Sequence, residues 1–510
     1  MPPMSRGSRP AAASSPLDRP EACRHPVTMP DLRPVAHIIG LMLVALGVMM
    51  LVPMGVALAG AEPGWDVFLQ AFAITTLVGL FLALSTANAL SESLTLRQSF
   101  LLTTLTWVVL PVFGAIPFVL GAEGERLVDA LFEATSGMTT TGTTIMTGLD
   151  EKPAAILLWR SILQWLGGLG IVIVALVFLP VMKVGGMQYF RAEGFDTLGK
   201  ILPRVRDISL MLIEVYLALT VAAAVAYVLA GMSGFDAVNH AMTTIATGGF
   251  STRDSSFAEY SAGTHYVALA AMWLSGLPFI RYIQLVNGEV RPLFKDVQVR
   301  AYFRWTLYAI GLIVAYRLAM RGGDIEAVIR ESAFNLVSLM TGTGYGTTDI
   351  TAWGDFVLLV VIMAGFIGAC TASTGCSIKV FRYLVLFEAI RAQLRELVHP
   401  SRVAPIQLQG RRVETEVITS VVVLFTAFVL GFGLLTVALS LTGLQMRTAI
   451  TAAWTAICNI GPAFGREVGP TGAVDNFPDS AKWLMMLGML MGRLEMIAVL
   501  VLLLPRFWRA

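Results

Sequence analysis

Apolar runs of bilayer-crossing length recur from near the start of the chain almost to its end, and this pattern decides what the chain can fold into. They fall near residues 37–60, 66–90, 98–120, 155–181, 208–231, 264–286, 302–320, 354–387, 415–442 and 482–505, ten candidate spans in all. Mean hydropathy is +0.73. Charged residues are 14% of the chain, against roughly 25% in soluble domains. Too few polar side chains remain to coat a water-soluble body of this length. In hydrocarbon every peptide group must find its partner within the protein, and a helix does so by itself. The expectation is an all-α polytopic membrane protein. Its 36 basic and 34 acidic residues nearly cancel, so no global field attracts nucleic acid. Cys23, Cys370, Cys376 and Cys458 offer neither a disulfide framework nor paired zinc-ligand spacing.

Residues 1–36 are polar and rich in Pro and Ser, and read as a disordered tail. The first apolar run is too long for a signal-peptide core and lacks a small-residue cleavage site, so it reads as a retained helix. Lys and Arg gather in 1–36, 182–207, 281–304 and 379–412 and thin out in the segments between. By the positive-inside bias both termini are cytoplasmic.

The segments on the opposite face share a grammar. Each of the last four is a short apolar helix-like piece that ends in Thr, Ser, Asn and Gly. They run Asp129-Ala-Leu-Phe-Glu-Ala-Thr-Ser-Gly-Met-Thr-Thr-Thr-Gly142, then Asp236-Ala-Val-Asn-His-Ala-Met-Thr-Thr-Ile-Ala-Thr-Gly248. The third is Glu331-Ser-Ala-Phe-Asn-Leu-Val-Ser-Leu-Met-Thr-Gly-Thr-Gly344 and the fourth Thr448-Ala-Ile-Thr-Ala-Ala-Trp-Thr-Ala-Ile-Cys-Asn-Ile-Gly461. The glycines stand roughly a hundred residues apart, as expected of repeated units that must stack to bury what none buries alone.

Extended backbone at membrane depth is tolerated only where it is buried in protein or lines a watery path. Four copies around an axis could turn carbonyl oxygens inward and replace the water shell of a cation. Turning successive carbonyls to one side needs residues that accept positive φ, which glycine does at little cost. The half-helix before each turn aims its negative end at the ion. The pattern predicts a cation filter with one glycine turn per repeat. A Thr/Gly-rich connection that is only a turn is the competing reading of any single copy.

Taken in order, these motifs resemble the Trk/Ktr/HKT superfamily of potassium transporters, in its TrkH-type branch. The resemblance rests on Glu133-Ala-Thr-Ser-Gly-Met-Thr-Thr-Thr-Gly142, Thr247-Gly-Gly-Phe-Ser-Thr252, Ser338-Leu-Met-Thr-Gly-Thr-Gly344 and Asn459-Ile-Gly-Pro462. Gln164-Trp-Leu-Gly-Gly-Leu-Gly-Ile171 and Gly492-Arg-Leu-Glu495 also fit, and the likeness runs over about residues 37–505. It implies four M1–P–M2 pore-loop repeats around a central pore plus two extra N-terminal helices. The divisions would be the tail 1–36, the extra helices 37–92, and repeats at 93–182, 183–290, 291–400 and 401–510.

The resemblance further implies potassium uptake across a bacterial inner membrane, a homodimer, and a cytosolic ring of TrkA-like nucleotide-binding regulatory subunits. Potassium would be the transported ion, with no cofactor in the chain. It would be held by backbone carbonyls of Thr140, Thr141 and Gly142; of Ala246, Thr247 and Gly248; of Gly342, Thr343 and Gly344; and of Asn459, Ile460 and Gly461. Plant relatives that favour sodium have Ser in the first loop, so Gly142 points to potassium, as does the channel-like Thr343-Gly-Tyr-Gly346. Two departures stand out: Gly342 interrupts the expected run of Thr, and Ala463-Phe464 precedes Gly465 in the fourth loop.

Small and polar residues break the eighth span at Gly365-Phe-Ile-Gly-Ala-Cys-Thr-Ala-Ser-Thr-Gly-Cys-Ser-Ile-Lys379. The family implies an intramembrane gate loop there, formed by Gly365, Gly368, Ala369, Cys370, Thr371, Ala372, Ser373, Thr374, Gly375, Cys376 and Lys379; a packing break at a helix crossing is the alternative. Lys379 either meets the pore or marks the cytoplasmic boundary. Arg493, near the middle of the last span, costs roughly 2.5–3.5 kcal/mol to insert. It either pairs with Glu495 or loop carbonyls, or, as the family suggests, faces the cavity beneath the filter. Glu133 and Asp236 read as bracing groups or pore-helix N-terminal groups, and His240 as a packed, hydrogen-bonded residue. An ion-coupled secondary carrier is the alternative function. No HExxH, Cys/His cluster or GxxxxGK[ST] motif supports an enzyme.

Overall fold

The computed structural model describes residues 31–89, 94–121, 124–174, 205–400, 406–408, 410–494 and 496–508. Cys23, Glu495 and residues 175–204, which include most of the basic segment 182–207, lie outside the described residues.

Two long helices come first, α1 (Arg33–Ala59) and α2 (Trp65–Ser85), packed along their lengths as a hairpin. Glycine makes the close approach possible. A Cβ on Gly79 would lie 2.8 Å from the Gly40 carbonyl oxygen, and one on Gly40 2.7 Å from that of Gly79. The first repeat holds α3 (Leu96–Gly114), α4 (Ile116–Leu120), the pore helix α5 (Leu127–Met138) and α6 (Ala154–Ile173). Thr95 starts α3 with a capping box to Gln98, satisfying two end donors. The second repeat holds α7 (Val205–Leu229), the pore helix α8 (Gly234–Ile245), α9 (Ala262–Ser275) and α10 (Phe279–Val286), followed by the short α11 (Arg291–Lys295).

The third repeat holds α12 (Val297–Arg321), the pore helix α13 (Ile325–Thr341), α14 (Asp355–Ile367) and α15 (Val380–Val398). After a two-residue antiparallel ladder, Gln407–Leu408 with Arg411–Arg412, the fourth holds α16 (Thr415–Leu441), the pore helix α17 (Met446–Cys458) and α18 (Asp479–Arg493). α19 (Met496–Leu502) and α20 (Pro505–Trp508) close the chain. Ser233, Asp296 and Asp324 cap α8, α12 and α13 through their side chains.

Contacts between helices close a ring. Each pore helix packs against the outgoing helix of the repeat before it: α8 on α6, α13 on α9, α17 on α14, and α5 on α18. The last contact joins the end of the chain to its beginning. α1 leans on α3 and α6, so the extra hairpin sits on the flank of the first repeat.

Among the described residues, six helices are long and apolar enough to cross a membrane: α1, α2, α3 continued by α4, α6, α7 and α16. The run at 264–286, expected as one span, is bent by 94° between α9 and α10. Gly276 and Pro278 sit at the bend, and Pro278 caps α10 with extended backbone. The run at 482–505 also differs, because α18 ends at Arg493 instead of carrying that residue mid-helix. α1 begins at Arg33, a few residues inside the expected tail.

Replacing Gly79 by Val forces α1 and α2 apart and should cost about 1–3 kcal/mol, seen as a lower thermal midpoint in detergent. Gly55→Val, at a position with open space around it, should leave the midpoint unchanged.

Candidate cation site at the junction of the four repeats

Each pore helix ends inside the protein by the same device. The N–H of the residue before the glycine of each turn reaches back to a carbonyl of a hydroxyl-bearing residue: Thr141 to Ser136 (2.9 Å), Gly248 to Thr243 (2.8 Å), Thr343 to Ser338 (2.8 Å) and Ile460 to Thr455 (3.1 Å). A left-handed residue makes that turn: Thr140 (φ 52°), Thr247 (φ 52°), Gly342 (φ 79°) and Asn459 (φ 51°). Two residues on, a second left-handed residue is glycine in every copy: Gly142, Gly249, Gly344 and Gly461.

This register corrects one sequence assignment. In the second repeat Gly249, not Gly248, is equivalent to the other three glycines, and Thr247, Gly248 and Gly249 replace Ala246, Thr247 and Gly248 as the matching triplet. The doublet Gly248-Gly249 concealed the offset. A hydroxyl six residues before each glycine would have revealed it, as Ser136, Thr243, Ser338 and Thr455 all do. Gly342, which departs from the expected Thr, occupies a left-handed position that Thr140, Thr247 and Asn459 hold under strain of roughly 1–2 kcal/mol.

The four turns meet cyclically. A Cβ on Gly142 would collide with the Gly248 carbonyl oxygen, one on Gly249 with that of Thr343, and one on Gly344 with that of Ile460. One on Gly461 would come within 3.1 Å of the Thr141 carbonyl oxygen, which closes the circle. Side chains tie neighbouring repeats at the same level. The Thr143 hydroxyl donates to the Gly461 carbonyl (2.6 Å), and Asn459 Nδ2 donates to Thr141 Oγ1 (2.8 Å) and to the Met489 carbonyl (3.0 Å). Gln164 accepts from the Phe250 amide (3.0 Å) and donates to the Gly248 carbonyl (2.6 Å).

Behind the turns each limb leaving the site is braced to its own pore helix by different chemistry. Glu133, fully buried, accepts from Thr144 Oγ1, from the Ile145 amide (3.0 Å) and from Arg160 Nε (2.8 Å). Arg160 also donates to the Ser251 carbonyl (3.0 Å), linking the first two limbs. Asp236 accepts from Thr252 (2.6 Å), while His240 bridges the Asp236 carbonyl and Ser251. Asn335 donates to Thr347 (2.7 Å), and Thr451 donates to the Phe464 carbonyl (2.8 Å). At the fourth pore helix, Glu467 caps the N-terminus through Thr448 Oγ1 and the Gln445 amide, and the Thr448 bond chiefly holds its carboxyl below the usual range.

The motif glycines on the outgoing helices admit this packing. Cβ atoms on Gly167 and Gly492 would collide with the Met138 and Ile457 carbonyl oxygens at the ends of two pore helices. Below the third turn, α14 stops at Gly368 and residues 368–376 form a buried loop. A Cβ on Gly375 would lie 2.9 Å from the Thr341 carbonyl oxygen, so the loop abuts the end of the third pore helix. It is also held to the α9–α10 bend: Cys370 N–H donates to the Gly276 carbonyl (3.0 Å), Phe279 N–H to that of Ala372 (2.8 Å), and Thr374 Oγ1 to that of Ser275 (3.2 Å).

Thr371 N–H meets Gln298 Oε1 (3.1 Å), and Ala369 accepts from Val380 N–H (3.0 Å). Ser373 Oγ donates to the Cys370 carbonyl (2.7 Å). A Cβ on Gly365 would press on Trp454 and Ile460. Lys379, buried at the start of α15, donates its amide to the Ile367 carbonyl (3.0 Å).

Arg493 crosses to the same loop. It is 2% exposed, donates to the carbonyls of Thr374 (3.3 Å) and Gly167 (3.0 Å), and lies against Cys376 Sγ and over the Trp107 ring. Its bonds thus run to one carbonyl of the loop and one of α6, and its suggested partner Glu495 lies outside the described residues. At the end of α18 it also meets the negative pole of that helix.

Four re-entrant helices whose ends converge in a closed ring, inside a shell of apolar helices, define a pore-loop membrane transport protein. The family model for TrkH, described as "Cation transport protein", matches residues 65–509, and the chain belongs to that family. It is 37% identical to "Trk system potassium uptake protein TrkI" of Halomonas elongata, covering 93% of this chain and 97% of that one. It is 35% identical to "Trk system potassium uptake protein TrkH" of Escherichia coli, covering 94% and 99%. The crystal structure of the potassium transporter TrkH from Vibrio parahaemolyticus superposes with a TM-score of 0.86 at 33% identity, covering 94% of this chain and all of that one.

Glu133→Gln leaves the Arg160 charge buried without its counter-ion and should cost about 3–5 kcal/mol. Thermal unfolding in detergent measures this, and E133Q/R160M should recover much of the loss.

Proposed function

We propose that this chain carries potassium into the cell through the ring of turns. The observation that supports this best is the cyclic contact of Gly142, Gly249, Gly344 and Gly461 with the carbonyls of Gly248, Thr343, Ile460 and Thr141. Carbonyl dipoles in such a ring, backed by four helix C-termini, replace water around a dehydrated monovalent cation. The filter comprises Thr140, Thr141 and Gly142; Thr247, Gly248 and Gly249; Gly342, Thr343 and Gly344; and Asn459, Ile460 and Gly461.

The ring is built from peptide oxygens and neutral side chains, so the ion is recognised by size and ease of dehydration. The loop from Gly368 to Lys379 serves as the gate, because it abuts the third turn and its own backbone is held by a few bonds to the α9–α10 bend, Gln298 of α12 and Arg493. The Arg493 guanidinium places a positive charge beneath the ring, which raises the barrier for a descending cation. By the charge bias, the filter faces outward and the basic connections lie in the cytoplasm. The chain works in the bacterial inner membrane as a homodimer. It is regulated by a cytosolic nucleotide-binding subunit, as the Trk-system names of its relatives favour.

In a bacterium lacking potassium uptake, expression of the wild-type chain should restore growth at low potassium. Gly142→Ser and Gly344→Ser should abolish it; rescue surviving both would remove the turns from the conduction path. Gly249→Ala should abolish uptake beyond repair, since the obstacle is the Thr343 backbone. Gly248→Ala meets the Gln164 side chain and should regain uptake when combined with Gln164→Ala. Arg493→Ala should raise rubidium flux into vesicles several-fold, and unchanged flux at equal protein amount would exclude the electrostatic barrier.

A further inference from the structure

A cavity of about 730 Å³ lies away from the filter, between α9, α11 and the first turns of α12. Trp273, Leu277, Leu293 and Phe303 give it apolar walls, and the exposed side chains of Arg300 and Arg304 join its lining. Its volume is within the range of roughly 300–1,000 Å³ typical of small-molecule sites. The two arginines are four residues apart and so share one face of α12. Neither has a carboxylate partner among the described residues. Arg300 reaches only the Lys295 carbonyl (3.1 Å), and Asp296, one turn earlier, is taken by Arg281 at 2.8 Å.

The segment leading in carries the same mixture, with Val286, Val290 and Phe294 at 68%, 49% and 69% exposure interleaved with exposed Arg291 and Lys295. Exposed apolar and basic side chains side by side are what a membrane–water interface accommodates. This region is at the end of the spans opposite the pore-helix N-termini, hence on the cytoplasmic side in the orientation proposed above.

We propose that this cavity binds an anionic phospholipid of the cytoplasmic leaflet, its phosphate at Arg300 and Arg304 and an acyl chain against Trp273, Leu277, Leu293 and Phe303. A basic pocket between helices at that level is suited to a charged headgroup, and an apolar slot beside it takes hydrocarbon but not a free anion. The back wall of the slot is the α9–α10 bend. Ser275, Gly276 and Phe279, which follow Trp273 along the chain, hold the gate loop through Thr374, Cys370 and Ala372. Trp273 in turn packs on Phe303 (4.7 Å between ring centres) and Tyr302 (6.0 Å). An acyl chain in the slot therefore braces the wall on which the gate loop hangs, and lipid occupancy biases the gate. This coupling rests on the gate assignment above; the binding itself does not.

The test uses the purified full-length chain in detergent, with phosphatidylglycerol or phosphatidylcholine added and bound lipid counted by native mass spectrometry. The wild-type chain should retain phosphatidylglycerol at least about tenfold better than phosphatidylcholine, and R300Q/R304Q should lose that preference. Leu293→Trp, which fills the slot and leaves both arginines, should also lose the bound lipid. Retention by both variants at the wild-type level would overturn the site, and so would full displacement by inorganic phosphate at matched concentration, which would mark a free-anion site.

For the coupling, rubidium flux in vesicles with and without phosphatidylglycerol should differ several-fold for the wild-type chain and not for R300Q/R304Q. Equal wild-type flux in both would overturn it. Lipid counting does not depend on conduction, so a chain that binds phosphatidylglycerol yet fails to restore growth overturns potassium uptake and leaves the lipid site standing.

Discussion

Ending a helix in the middle of a membrane leaves donors and acceptors that no water can satisfy, and the architecture of this protein follows from how that is solved four times. In each copy the chain turns left-handed directly after the pore helix and returns one N–H to Ser136, Thr243, Ser338 or Thr455. The helix end is then closed on one side while the next peptide units are left extended. Those units have nowhere to go except toward the neighbouring turn, where only glycine leaves room for an adjoining carbonyl. The ring, the close packing of Gly167 and Gly492 on pore-helix ends, and the bracing of each outgoing limb all serve that one arrangement.

Fourfold geometry does not extend to fourfold chemistry. The first limb is held by a buried ion pair, the second by a carboxylate and a histidine, the third by an amide and the fourth by a hydroxyl. A single chain can vary the stiffness of each wall in this way, which four identical subunits cannot. The repeats also differ below the ring, where the buried loop between α14 and α15 meets Arg493. The α14–α15 loop and Arg493 meet because α18 closes the ring against α5 and carries Arg493 to the Thr374 carbonyl. The apolar cavity beside Arg300 and Arg304 attaches to this same half of the molecule through the α9–α10 bend.

Much of this was legible in the residues. Apolar run lengths marked the helices, and the Thr-Gly grammar marked the four turns. The cluster of small residues from Gly365 to Cys376 marked the interrupted helix, because such residues neither fill a lipid-facing surface nor hold a straight helix firmly. The second turn was misaligned by one residue because two adjacent glycines satisfy the same pattern, and only backbone torsions separate Gly248 from Gly249. The bend at Gly276 and Pro278 was hidden inside an apolar run of spanning length, since hydropathy does not register where a helix loses its hydrogen bonds to a distant loop. Arg493 gave a similar ambiguity, because a charge in a span announces a partner without naming it.

The sequence by itself determined that the chain is a membrane protein, that it carries four equivalent re-entrant units, and which residue types could turn backbone at depth. These are local properties, set by side-chain hydropathy and by the torsions each residue tolerates. The tertiary structure alone decided which glycine faces which carbonyl, that Glu133 is neutralised by Arg160, and that Arg493 reaches a loop more than a hundred residues away. Those relations depend on how helices from distant repeats pack around one axis, and no local preference along the chain specifies a contact of that kind.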